Sequence, residues 1–111
     1  MIIRPVGLII LDLQIYFNQR NFDKIEIDLG HINKLQRSKF EARFIKNVIE
    51  ENLDGISLRK VDLKSFGDEY CEYFITVVKL LDKNFKLVFC VCSDRPQTIG
   101  VITFYRLKEL K

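Results

Sequence analysis

The last third of the chain constrains the fold most. Three apolar runs, 69–81, 85–92 (FKLVFCVC) and 98–107 (TIGVITFYRL), are separated only by Asp82-Lys83-Asn84 and by Asp94-Arg95-Pro96-Gln97. The runs are rich in β-branched and aromatic residues, which suit a pleated, half-buried surface. The connectors are of turn length. A parallel join needs a crossover of a dozen residues or more, so an antiparallel meander is the simplest topology. In the first run Tyr73, Ile75 and Val77 share one parity while Phe74, Thr76 and Val78 share the other. Both faces of the sheet are therefore partly apolar. One face should receive a helix, and the other should be partly covered or form a cleft.

Upstream, the hydrophobic period changes. Ile32, Leu35, Phe44, Ile45, Val48, Ile49 and Leu53 recur at steps of three and four, the spacing of one helix face. Asp28 is placed to cap that helix, and Asp54-Gly55 to end it, which predicts a helix over about 30–53. The pattern stumbles between Leu35 and Phe40, which allows a kink or two consecutive helices. Residues 6–13 (VGLIILDL) read as a short buried strand and 17–24 as a loop. The alternation of 24–28 (KIEID) suits a second short strand or an extended lead-in, and 57–66 fits strand or loop. With 111 residues, the chain is predicted to form one domain over 1–111. Its fold class is α+β, with N-terminal helices packed on one face of a four- to five-stranded antiparallel meander sheet.

Several classes are excluded. Hydrophobic residues make up 48% and charged residues 30%, values of a globular chain rather than a disordered one. No apolar run approaches the roughly 18 residues of a membrane-spanning helix. The opening MIIRPVGLIILDL is short, is interrupted by Asp12 and lacks a small-residue cleavage site, so it is not a secretory signal; a cytoplasmic location is expected. The three cysteines, Cys71, Cys90 and Cys92, include no Cys-x-x-Cys pair, and there is one histidine, which argues against structural zinc. Cys90 and Cys92 share a face of one strand and cannot easily bridge, so three reduced, buried thiols are expected. Asp12, Asp23, Glu26 and Asp28 match no cation-binding loop and are better explained by turns and caps. No metal and no cofactor are predicted. There is no glycine-rich phosphate loop and no Gly-x-Ser-x-Gly.

The net charge of +3 is mild but unevenly placed. Residues 31–46 hold Lys34, Arg37, Lys39, Arg43 and Lys46 against Glu41 alone, beside the single histidine, His31. Histidine is the side chain that changes charge near neutral pH. With cations at helical spacing it can bind a phosphodiester and move a proton on it. On the last strand Thr103 and Tyr105 share a parity with Val101 and Leu107, and such a pair can hydrogen-bond a phosphate and stack a base. Tyr73 and Ser93 are weaker candidates for RNA contact. The plainer reading is a solvated basic helix face above a strand of ordinary composition.

A histidine opening a basic helical segment, DLGHINKLQRSKFEARFIKNVIEE, followed by a meander ending in VITFYRL, resembles the superfamily that joins barnase, EndoU, colicin nuclease domains and RelE-type toxins (the BECR fold). The resemblance covers about residues 28–107. It implies helices on one face of an antiparallel sheet and RNA on the other. It implies a metal-independent endoribonuclease toxin, with RNA as substrate and a cognate antitoxin or immunity protein as partner. Carried onto this sequence, the family's histidine falls on His31, and its basic residue on one of Lys34, Arg37, Lys39 or Arg43. Its hydroxyl motif falls on Thr103 and Tyr105. The implied catalytic set is His31, Arg37, Arg43, Thr103 and Tyr105, with Lys34, Lys39, Tyr73 and Ser93 binding RNA. The second histidine of EndoU is absent. The alternative is a non-enzymatic protein-binding module, such as an immunity protein, an antitoxin or a small regulator.

Overall fold

A computed structural model describes residues 8–34, 39–61 and 70–108. The chain runs β1 (Leu8–Phe17), β2 (Arg20–Asp28), α1 (Leu29–Asn33), α2 (Ala42–Leu53), β3 (Cys71–Leu80), β4 (Lys83–Cys92) and β5 (Arg95–Arg106). β1–β2 and β3–β4 are tight hairpins. Their two central residues, Asn18-Gln19 and Leu81-Asp82, all have positive φ, between 49° and 64°. Turns of that hand match the right-handed twist of the strands they join.

The five strands form one sheet in the order β1-β2-β5-β4-β3. β3, β4 and β5 are antiparallel neighbours, and so are β1 and β2, but β2 lies parallel to β5 from Lys24↔Thr98 to Ile27↔Val101. This overturns the predicted architecture. The helices do not lead the chain: two strands precede them, both helices lie mid-chain, and the sheet is mixed rather than an antiparallel meander. Residues 17–24, predicted as a loop, hold the first hairpin turn and the start of β2, where Phe22 is buried. Polar residues alternate there with one aromatic, so a strand's inner face is carried by a single side chain and its period is hidden. The parallel partner of β2 lies more than 70 residues away along the chain, beyond the reach of any local pattern.

One face of the sheet is core. α2 turns Ile45, Val48, Ile49 and Leu53 inward and packs against both edge strands, β1 and β3, so the sheet curls around it. Phe17, at the end of β1, meets Phe74 of β3 at 5.3 Å and Phe89 of β4 at 5.4 Å, edge to face. Helix entry is fixed by polar groups. Asp28 caps α1 by accepting the His31 amide at 3.1 Å, as its sequence position predicted. The Asn33 side chain both donates to and accepts from the Phe40 backbone at 2.9 Å.

Side chains also meet backbone groups at a few points along the edge strands and the first hairpin turn. Asn52 of α2 donates to the Lys79 carbonyl and accepts the Lys79 amide, both at 3.0 Å. Asn18 clasps Leu58 in the same way. Tyr16 donates its amide to Asp54 at 2.8 Å and accepts that of Gly55. Edge groups met in this way cannot recruit another chain.

The cysteines also depart from expectation. Cys71 and Cys92 stand directly opposite on β3 and β4 and form a disulfide, while Cys90 lies outside it. Parity along β4 placed Cys90 and Cys92 on one face. The register of β3, which brings Cys71 beside them, is a property of the pairing.

Candidate functional site at the junction of α1 and β5

β2 stops at Asp28, whereas β5 continues to Arg106. Beyond Ile27↔Val101 no strand among the described residues pairs with that flank of β5. α1 takes that place and packs against β5, anchored by Ile32, which is 6% exposed. Between them lies an open concavity of about 570 Å³, lined by His31, Ile32, Lys34, Ile102, Thr103, Phe104 and Tyr105. That volume falls within the roughly 300–1,000 Å³ usual for ligand pockets.

The local geometry explains the lining. Val88 pairs with Thr103, but Phe89 pairs with Val101, so Ile102 is an extra residue on β5. Such a bulge re-aims neighbouring side chains. Phe104 points into the core at 1% exposure. Thr103 and Tyr105 lie on the opposite side. His31 and Lys34 are one turn apart on the helical segment, with the Lys34 amide 3.4 Å from the His31 carbonyl. The residues that line the concavity thus include a histidine, a lysine, a threonine and a tyrosine beside the apolar Ile32, Ile102 and Phe104. Among the described residues no carboxylate lines it.

Asp28 meets the site through its bond to the His31 amide, and two further carboxylates are paired away from it. Asp12 pairs with Lys24 and Glu26 with Arg95. The hydrogen bond and charge of Lys24 hold the Asp12 carboxyl below its ordinary value and push the Lys24 ammonium above its own. Among the described residues, no group of three His, Cys, Asp or Glu could hold a metal ion.

Four residues singled out from the sequence, His31, Lys34, Thr103 and Tyr105, meet in this concavity. The others do not. Arg43 is exposed on α2 and is not among the lining residues. Lys39 donates to the Asn33 carbonyl at the end of α1. Tyr73 is on β3 opposite Cys90, and Ser93 is in the β4–β5 turn, its amide 2.9 Å from the Tyr70 carbonyl. Arg37 lies outside the described residues. Ile102 was not anticipated, because a bulge is set by strand register and leaves no periodic signal. No family model, no curated protein and no solved structure matches the chain. Among the described residues no helix is long and apolar enough to cross a membrane.

Proposed function

We propose that the protein is a metal-independent endoribonuclease acting at the α1–β5 concavity. The observation that supports this reading is the meeting of His31, Lys34, Thr103 and Tyr105 around one open hollow. RNA carries its own nucleophile, so the enzyme need only move protons and stabilise charge. His31 accepts the proton of the 2′-hydroxyl as that oxygen attacks the adjacent phosphorus. The bond from phosphorus to the 5′-oxygen breaks, that oxygen takes a proton from water, and a 2′,3′-cyclic phosphate remains. Lys34 offsets the negative charge developing on the phosphorane. Thr103 and Tyr105 donate hydrogen bonds to its oxygens, and the Tyr105 ring offers a surface on which a base stacks. Arg43 stands away from this hollow and has no part in the mechanism. An acidic antitoxin or immunity protein covering the hollow is the partner that fits a toxin of this chemistry.

The test is cleavage of total cellular RNA in EDTA by the purified protein beside a His31→Ala variant. Discrete fragments with cyclic phosphate ends are expected, with the rate reduced about 10²–10⁴-fold in the variant. Intact RNA from folded wild-type protein would overturn the reading. One observation favours a second reading, a protein-binding module. Leu8 and Ile10 on β1, and Ile75 and Val77 on β3, expose 37–61% of their surface on the side of the sheet away from α2. Under that reading RNA stays intact and Ile10→Lys with Val77→Lys abolishes partner binding.

A further inference from the structure

We propose that Cys71, Cys90 and Cys92 form a thiol–disulfide exchange set, in which Cys90 displaces Cys71 from Cys92 and moves the crosslink from between two strands to within one. Three observations outside the α1–β5 hollow carry this. The Cys90 Sγ is 3.9 Å from the Cys92 Sγ, which is itself bonded to Cys71. The pairing of β4 with β5 is irregular between Cys90 and Cys92: Cys90 faces Gly100, while Cys92 faces Arg95. Finally, a Cβ at residue 100 would stand 3.1 Å from the Cys90 Sγ, so glycine leaves the thiol its space.

In a regular strand, side chains two residues apart share a face but do not readily bridge, because a disulfide needs Cβ atoms roughly 4 Å apart. Opposite Val91 it is β5 that carries the surplus residues, so this stretch of β4 keeps its regular ladder to β3 but lacks regular partners on its other flank, which leaves it freer to bend than a strand paired on both sides. Both Cys90 and Cys92 line a second concavity of about 330 Å³, together with Glu26, Arg95 and Thr98, so water can reach the sulfurs. The step is balanced. The Cys90 thiol loses its proton to water and its thiolate attacks the Cys92 Sγ. The Sγ90–Sγ92 bond forms and the Sγ71–Sγ92 bond breaks. Its electron pair leaves on the Cys71 sulfur, which takes up a proton. One disulfide and one thiol stand on each side, so no oxidant or reductant is consumed. The consequence is mechanical: edge strand β3 is covalently tied to β4 in one isomer and held only by its ladder in the other.

Trypsin distinguishes the isomers, because residues 65–79 carry Cys71 while 87–106 carry both Cys90 and Cys92, Arg95 being protected by Pro96. Native protein would be held at about pH 8, near the ordinary thiol pKa, quenched in acid, blocked with N-ethylmaleimide and digested. The expected result is two populations. One has the two peptides joined and Cys90 labelled. The other has them separate, with Cys71 labelled and the 87–106 peptide unlabelled and lighter by two hydrogens. Cys90→Ser is expected to leave only joined, unlabelled peptides. Label confined to Cys90 after prolonged incubation would overturn the proposal. So would label on all three cysteines, or label on Cys71 in the Cys90→Ser protein.

Discussion

Leu81 is the residue whose identity fits its conformation least. It occupies the first central position of the β3–β4 turn at φ 50° and is 84% exposed. A left-handed conformation crowds the Cβ of an ordinary residue against the next carbonyl, at a cost of about 1–2 kcal/mol. Asparagine tolerates it, and asparagine stands at the matching position of the other hairpin, Asn18. Leu81→Asn should therefore stabilise the fold by about 1 kcal/mol. The check is a rise in the denaturant midpoint with an unchanged slope; an equal or lower midpoint would show that the exposed leucine makes contacts worth more than the strain. At the same scale, legibility was uneven. Asp28 was readable as a cap because capping is local. Cys71 was misread because its partner is chosen by the register of two strands.

Among the elements, α2 does more than cover the sheet. Its apolar stripe was plain in the sequence, since a period of three and four needs no tertiary information. Its polar role was not. Asn52 sits off that stripe, accepts the Lys79 amide, and donates to the Lys79 and Val48 carbonyls. It fastens helix to edge strand. Asn52→Ala should cost about 1 kcal/mol, since water can partly replace bonds at this exposed edge. Hydrogen exchange at the Lys79 amide should quicken while the Phe74 amide, deeper in the β3–β4 ladder, keeps its protection. Uniform loss of protection along β3 would mean that the clasp supports the whole strand. α1 shows the opposite balance. At five residues it is too short to be stable alone, and it is held by Asp28, Asn33 and the burial of Ile32. The helical pattern over about 30–53, which allowed a kink or two consecutive helices, is two helices, α1 and α2, and the stumble between Leu35 and Phe40 was the visible trace of that division.

Across the whole molecule, the N-terminal hairpin and the C-terminal meander join along a single parallel seam, β2 to β5, and Phe17 closes the curl from the far end of β1. It is 1% exposed and meets Phe22, Phe74 and Phe89 within about 6 Å. Phe17→Ala should cost about 3–5 kcal/mol, a large share of the roughly 5–15 kcal/mol that holds a domain folded. It should lower the denaturant midpoint sharply and make thermal unfolding less cooperative. A cost below about 1 kcal/mol would mean that the sheet relaxes to fill the space.

The sequence by itself determined the strands of the meander, the apolar face of α2, the cap at Asp28 and the basic segment beginning at His31. Each of these rests on residues a few positions apart, where sterics and hydrogen bonding act within one element. Tertiary structure alone decided the parallel seam, the mid-chain place of the helices, the Cys71–Cys92 pairing and the bulge at Ile102. It alone decided that His31 and Lys34 stand beside Thr103 and Tyr105 while Arg43 does not. Those outcomes depend on which distant surfaces bury each other. That choice follows from the summed burial of the core around Phe17, Ile25, Ile49 and Phe89, and no local pattern encodes it.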